Sequence, residues 1–202
     1  MKIKMKIKYT AKILITVIGL MSLVYGQDMD FNKNSFEMLK QGRDLYERSV
    51  DDKKLIEPAE EIFHKLHEDS LEFRGRAMVY LGALEAVKGK HAFWPTSKMS
   101  HVNKAFEIME SGAAENPDDL ESLFVQATIY YNLPFFLSRK DEAKKNFKQI
   151  IALLPEKRAN YDEEIINTII NYMLEEVELS PEDRASVEKI EADFKITPQE
   201  KE

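Results

Sequence analysis

The stretches AFEIMESGAAENP (residues 105–117) and AKKNFKQIIALLP (residues 143–155) share one pattern. In each, a small residue (Ala105, Ala143) is followed four positions later by a bulky one (Met109, Phe147), and a proline (Pro117, Pro155) closes the stretch twelve positions after the alanine. The two copies start 38 residues apart, and Ala59 with Phe63 repeats the first half of the pattern upstream. Residues four apart lie on the same face of a helix. The alanine lets a neighbouring helix approach closely, the bulky residue one turn later fills the adjoining gap, and proline stops the helix and turns the chain. The pattern therefore predicts the second helix of a packed helix pair, repeated along the chain.

Working outward, helical periodicity dominates and no period-2 strand pattern is present. The spacing predicts eight helices, over about 33–49, 54–68, 70–88, 97–115, 118–132, 139–154, 160–178 and from Ser180 onward. Leu55, Ala59, Ile62, Phe63 and Leu66 form an amphipathic stripe in the second, and Ile165, Ile166, Ile169, Ile170 and Met173 form one in the seventh. Gly89 reads as the residue that ends the third helix. Asn116-Pro117 stops the fourth, and Pro155 ends the sixth. Ser180-Pro181-Glu182-Asp183 opens the eighth, with Ser as N-cap, Pro at the first helical position and acid in the first turn. Eight helices with short connections make four antiparallel pairs.

Ala-x3-Phe/Met-x7-Pro resembles the second half of a tetratricopeptide repeat. Gly42, Leu81-Gly82 and Ala127 with Tyr130 are similar to the small and aromatic positions of its first half. The spacing from Gly82 to Ala105 is 23 residues, longer than that family's unit, so lengthened turns inside the repeats are expected. Residues 74–155 also resemble a group of small exported bacterial tetratricopeptide-like proteins, through Tyr80-Leu81-Gly82-Ala83-Leu84, His91-Ala92-Phe93-Trp94-Pro95, Asn116-Pro117 and Asn132-Leu133-Pro134-Phe135-Phe136-Leu137. The resemblance implies an all-α fold, a short right-handed α-solenoid of about four antiparallel helix pairs, and export. It implies no activity.

Composition narrows the function classes. The chain has 202 residues, no cysteine, 29 basic and 36 acidic side chains. A disulfide framework, a thiolate metal site and a cysteine nucleophile are excluded. The first 26 residues carry Lys2, Lys4, Lys6, Lys8 and Lys12 without an acid, then an apolar run from Ile13 to Val24, then Val24-Tyr25-Gly26. This is the layout of a cleaved signal peptide, and the apolar run is shorter than the about 20 residues a spanning helix needs. Cleavage after Gly26 leaves 24 basic against 36 acidic residues. A chain this acidic does not suit the neutralisation of nucleic-acid phosphates. The expected organisation is a signal peptide over 1–26, a helical domain over 27–196 and a polar tail over 197–202. Export, to the periplasm or outside the cell, follows from the signal peptide. Contact with the membrane is expected only in passing, through that segment.

One segment departs from the overall charge. Lys88 to Lys104 holds Lys88, Lys90, His91, Lys98, His101 and Lys104, no acid, and Phe93-Trp94 at its centre. We expect an inserted loop between helices that engages an anionic or peptide partner through Lys90, His91, Phe93, Trp94 and Lys98, since Trp and Tyr recur at binding hot spots. Packing of the two aromatics back onto the groove is the structural alternative. Tyr130 to Phe136 forms a second aromatic cluster on the same edge, from which Tyr131 and Phe135 are the candidate contacts. His64, His67, Glu60 and Glu68 share a helix face at metal-ligand spacing, but no further ligand or zincin motif accompanies them, and a solvated face is expected. No phosphate loop or nucleophile elbow is present. The resulting expectation is a non-enzymatic scaffold of the cell envelope that binds a protein or peptide and holds no cofactor. A hydrolase or metal-dependent enzyme with its site between pairs, and a structural subunit of an envelope complex, are the alternatives.

Overall fold

The computed structural model describes residues 33–137 and 139–196, with the side chains of Phe135, Lys195 and Ile196 outside the description. The expected signal peptide and the polar tail from 197 also lie outside the described residues. The fold is all-helical. Helix α1 covers 33–49, and a short 3-10 turn (Lys53–Leu55) leads into α2 (Ile56–Asp69). Then follow α3 (Arg74–His91), α4 (Pro95–Glu115), α5 (Leu120–Asn132), α6 (Lys140–Lys157), α7 (Glu163–Glu175) and α8 (Pro181–Ile196). Among the described residues there is no strand, and no helix is long and apolar enough to cross a membrane.

The helix starts have local causes. Asp119 and Asp162 cap α5 and α7 by accepting the backbone N–H groups of Ser122 and Ile165 at 2.8 and 3.0 Å. Ser180 opens α8 as its sequence indicated: its Oγ accepts the Asp183 N–H at 3.1 Å and donates to Oδ2 of Asp183 at 2.7 Å. Pro95 begins α4, where its missing N–H is no loss.

Three boundaries differ from expectation. Gly89 does not end α3; the helix continues to His91, and Gly89 faces α4, where Cβ of His101 would lie 3.2 Å from an added Cβ. Pro155 does not end α6, which runs two residues further before a 3-10 turn (Arg158–Asn160). In the final turn of a helix a proline at this position removes one hydrogen bond without forcing the chain to turn. The inserted loop expected between Lys88 and Lys104 is not a loop. Only Ala92, Phe93 and Trp94 are non-helical there, and the extra length has gone into α3 and α4.

The small-residue positions do what their spacing required. Ala59, Ala105 and Ala143 are fully buried, and so are Phe63, Met109 and Phe147 or nearly so. Gly82 lies over α4 so closely that a Cβ would meet the backbone N of Met109 at 2.8 Å and O of Ala105 at 2.9 Å. Gly75 and Gly112 face one another the same way, each 2.7 Å from the other's carbonyl oxygen if it gained a Cβ. Gly75 against Gly112, Gly82 against Met109 and Gly89 against His101 give a descending register, so α3 and α4 are antiparallel at backbone contact distance. Helices α5 and α6 are antiparallel by the same test: Tyr131 packs on Phe147, Gln126 bonds Asn146, and Asp118 bonds Gln149 and Lys157. Between pairs the order ascends. Arg76 and Tyr80 of α3 reach Asp119 and Glu121, while Tyr46 and Ser49 of α1 reach Tyr80 and His91. Helices α1, α3 and α5 therefore run parallel to one another, with α2, α4 and α6 packed beside them. The core follows the seams, from Leu39 and Phe63 through Leu84, Leu120 and Phe147 to Ile169 and Val187.

Candidate functional site

Parallel first helices leave grooves between them. The larger has a volume of about 650 Å³, and its floor is apolar. Ala83, Ala86 and Val87 of α3 form one wall, Ile129, Leu133 and Leu137 the other, and Tyr46 and Val50 of α1 close the back. Pro95, Lys98, Met99 and Phe136 stand at the end where α4 begins and α5 leaves. A second groove of about 560 Å³ adjoins it, sharing Tyr46 and Thr128, and is walled by α1, α3, α5 and α7. It is more polar, with Lys40, Arg43, Asp44, Glu47 and Glu164 around Phe124 and Tyr172. A groove of this size falls within the range that encloses a small ligand or a few side chains of a peptide.

The expected site residues divide into two sets. Lys90, His91, Phe93, Trp94 and Lys98 come together where α3 turns into α4. The carbonyl of Ser49 accepts from Nε2 of His91 at 3.0 Å, so that nitrogen carries the ring proton. Lys90 Nζ donates to the carbonyl of Val50 at 2.8 Å and approaches Asp51 Oδ1 at 3.3 Å, tying α3 to the end of α1. Lys98 Nζ lies 3.4 Å from the carbonyl of Lys90. Phe93 is 83% exposed and Trp94 67%, so neither folds back over the groove. Tyr131 belongs elsewhere. Its ring packs edge-on to Phe147, and its hydroxyl accepts the N–H of Glu178 at 3.0 Å, on the side of α6 and α7. Phe135 lies in the 3-10 turn Phe135–Leu137, and its side chain is outside the described residues. His64 is exposed, and His67 turns to the carbonyl of Arg74 at 3.4 Å. Among the described residues no group of three or more His, Asp or Glu side chains is placed to hold a metal ion.

No family model matches the chain, and neither a curated protein nor a solved structure is significantly similar to it.

Beneath the second groove lies a charged cluster that sequence reading missed. Glu121 of α5 is fully buried, and Arg43 of α1 forks onto it, Nε to Oε1 at 2.6 Å and Nη2 to Oε2 at 2.5 Å. The remaining Arg43 nitrogen bonds Asp162 at 2.7 Å, the residue that caps α7. Arg76 of α3 forks onto Asp119, the cap of α5, and also pairs with Glu121 at 3.2 Å. Tyr80 donates to Glu121 Oε1 at 2.7 Å, and Tyr161 donates to Asp119 Oδ2 at 2.8 Å while accepting the N–H of Leu120. All four first helices thus meet on one set of charges. The available signal was that α5 opens with a mostly apolar stretch, Leu120 to Ala127, in which Glu121 is the single charged residue beside Ser122 and Gln126. A helix apolar all round is buried, and a buried acid needs partners.

The cluster sets the direction of several ionisations. Burial alone would raise the Asp119 carboxyl, but Arg76 and the Ser122 N–H outweigh it and hold it below the usual carboxylate range. Burial likewise opposes Arg43 at Asp162, and Arg43 with the backbone bond wins. Burial pushes the Tyr80 hydroxyl well above its ordinary value, and the charge of Glu121 adds to it. A second buried acid, Glu85 of α3, is held low against its burial by His101, Lys104 and Lys88. Carboxyls depressed in the folded state contribute stability that is fully present above their unfolded pKa of about 4 and is lost as pH falls through their folded values. Thermal melts are therefore expected to show a near-constant Tm from pH 7 to about 4.5 and a steep fall below about 4. A steep loss already between pH 7 and 5 would assign the dependence to other groups.

Proposed function

We propose that this chain is a non-enzymatic binding module, exported to the cell envelope, whose apolar groove receives a segment of a peptide or protein partner. The single observation that carries the reading is the groove itself: about 650 Å³, apolar along its floor, and adjoined by a second groove on all four first helices. A short right-handed solenoid of four pairs is the arrangement that the parallel first helices support, and such stacks present a long preformed surface that suits a peptide chain. Lys90 and Lys98 at the rim favour a partner with acidic side chains beside its apolar anchors.

The reading is tested by filling the groove. Ala86 is half-buried in the groove wall, so Ala86→Phe occupies the space with little cost to the core. Peptides selected from a random display library against the protein are expected to carry paired apolar side chains near an acid. They are expected to lose about tenfold or more in affinity to Ala86→Phe, from the displaced burial of one large apolar side chain. Selected peptides that bind Ala86→Phe as tightly as the parent chain would remove the groove from the reading.

A further inference from the structure

Five large apolar side chains are exposed among the described residues, and four of them occupy one end of the molecule. Phe93 (83% exposed) and Trp94 (67%) form the turn between α3 and α4, Met99 (38%) lies one turn into α4, and Phe136 (66%) lines the apolar groove together with Met99. The rings of Phe93 and Trp94 contact each other edge to face, with centroids 5.1 Å apart, and both still project from the turn. Scattered single apolar residues are ordinary on a surface, but a cluster of them marks an interaction site.

The charge of the α3–α4 turn runs against that of the chain, although Glu57 and Glu60 of α2 line the hollow beside Phe93 and Trp94. The segment Lys88–Lys104 has four lysines and no acid, in a chain with seven more acidic than basic side chains. Lys88 and Lys104 lean inward to Glu60 and Glu85, whereas Lys90 and Lys98 stand at the groove rim. Lys90 shares its charge with the exposed Asp51, and Lys98 meets a backbone carbonyl and no acid among the described residues.

We propose that this end of the domain docks on an anionic phospholipid bilayer surface, with Phe93 and Trp94 entering the interface and Lys90 and Lys98 meeting the headgroups. Protruding aromatics fit that partner because a bilayer interface accepts indole and phenyl rings without a pocket shaped to receive them. Lysines near an anionic leaflet add attraction that acts over about a Debye length. The interface shares Lys90 and Lys98 with the rim of the peptide groove and adds Phe93 and Trp94, which do not line that groove.

The chain has one tryptophan, Trp94, so its fluorescence reports on this end alone. The full chain also carries the apolar run from Ile13 to Val24, which gives it a membrane affinity of its own; the readout is therefore Trp94 emission, not sedimentation. With vesicles of phosphatidylglycerol at low salt, Trp94 emission is expected to shift to shorter wavelength and to be quenched by brominated acyl chains. Both effects should be weak with phosphatidylcholine vesicles and fall with added salt. The double variant Lys90→Gln, Lys98→Gln should partition roughly tenfold or more less well by the same readout, from two surface charges lost. Phe93→Ser, which keeps the probe, should lose roughly tenfold through its lost apolar burial. Far-UV circular dichroism confirms that each variant remains helical. Trp94 emission unchanged by phosphatidylglycerol vesicles overturns the proposal, including the case in which it responds only to a protein or peptide. Equal partitioning of the double lysine variant overturns it as well. Ala86→Phe leaves this readout untouched, so the two readings fail separately.

Discussion

Glu121→Ala is expected to destabilise the fold by about 3–5 kcal/mol, the usual consequence of removing one partner from a buried ion pair. The glutamate has no exposed surface, and its two oxygens receive Arg43, Arg76 and Tyr80. Without it, the two guanidiniums keep Asp162 and Asp119 but lose the charge at the centre, and the Tyr80 hydroxyl is left in a fully buried place with no acceptor. Glu121→Gln keeps an acceptor for Tyr80 and removes only the charge, so it should fall between the parent and Glu121→Ala. Urea denaturation followed by far-UV circular dichroism measures both. A loss below about 1 kcal/mol for Glu121→Ala, the level of an exposed pair, would show that the cluster is solvated in solution.

Gly112→Ala supplies the second test, and its value lies in its sign. In a helix with nothing beside it, alanine is more favourable than glycine by about 1 kcal/mol. Here the added Cβ would sit 2.7 Å from the carbonyl oxygen of Gly75 and 2.8 Å from the backbone N of Val79. Both are main-chain atoms of a regular helix, with no flexible end to swing aside, so α3 and α4 must separate. Overpacking of this kind costs about 1–3 kcal/mol and exceeds the gain in helix propensity. Gly89→Ala is the internal control. Its nearest neighbours would be Cβ of His101 at 3.2 Å and O of Lys98 at 3.4 Å, a gap that a few tenths of an ångström relieves, so it should be near neutral. A Gly112→Ala protein that melts higher than the parent would contradict the close approach of the two backbones.

These two sites also show where sequence reading stops. The eight helices were legible because each carries a local signature: an apolar stripe in α2 and α7, a serine cap and N1 proline at α8, an alanine one turn before a bulky residue in α2, α4 and α6. Burial of Ala59, Ala105 and Ala143 followed from the same spacing. The α3–α4 turn was misjudged because a long interval between motif positions fits either a loop or two longer helices, and Gly89 signals a helix end as readily as a close crossing. The choice is made by α4 packing on α3, which no local pattern contains. The charged cluster joins residues that are 41 to 119 positions apart, and only the lone acid in the apolar opening of α5 hinted at it. The groove is a space between helices, so its walls became visible only with their packing. The basic aromatic segment was legible as a candidate from charge alone, while the separation of Tyr131 from it depended on which side of α5 that ring faces.

The Arg43 contacts have a consequence in time. The fork reaches 78 residues forward to Glu121 and 119 forward to Asp162. Helix α1 is the first of the eight to leave the ribosome, yet its charged partner set is complete only with the start of α7. Until then a cation is held ready on an unseated helix, while α3 and α4, whose facing glycines are a few dozen residues apart, have all they need to close. Long-range closure is slow and local closure fast. The domain is therefore expected to assemble from its middle outward, with α1 locked in late.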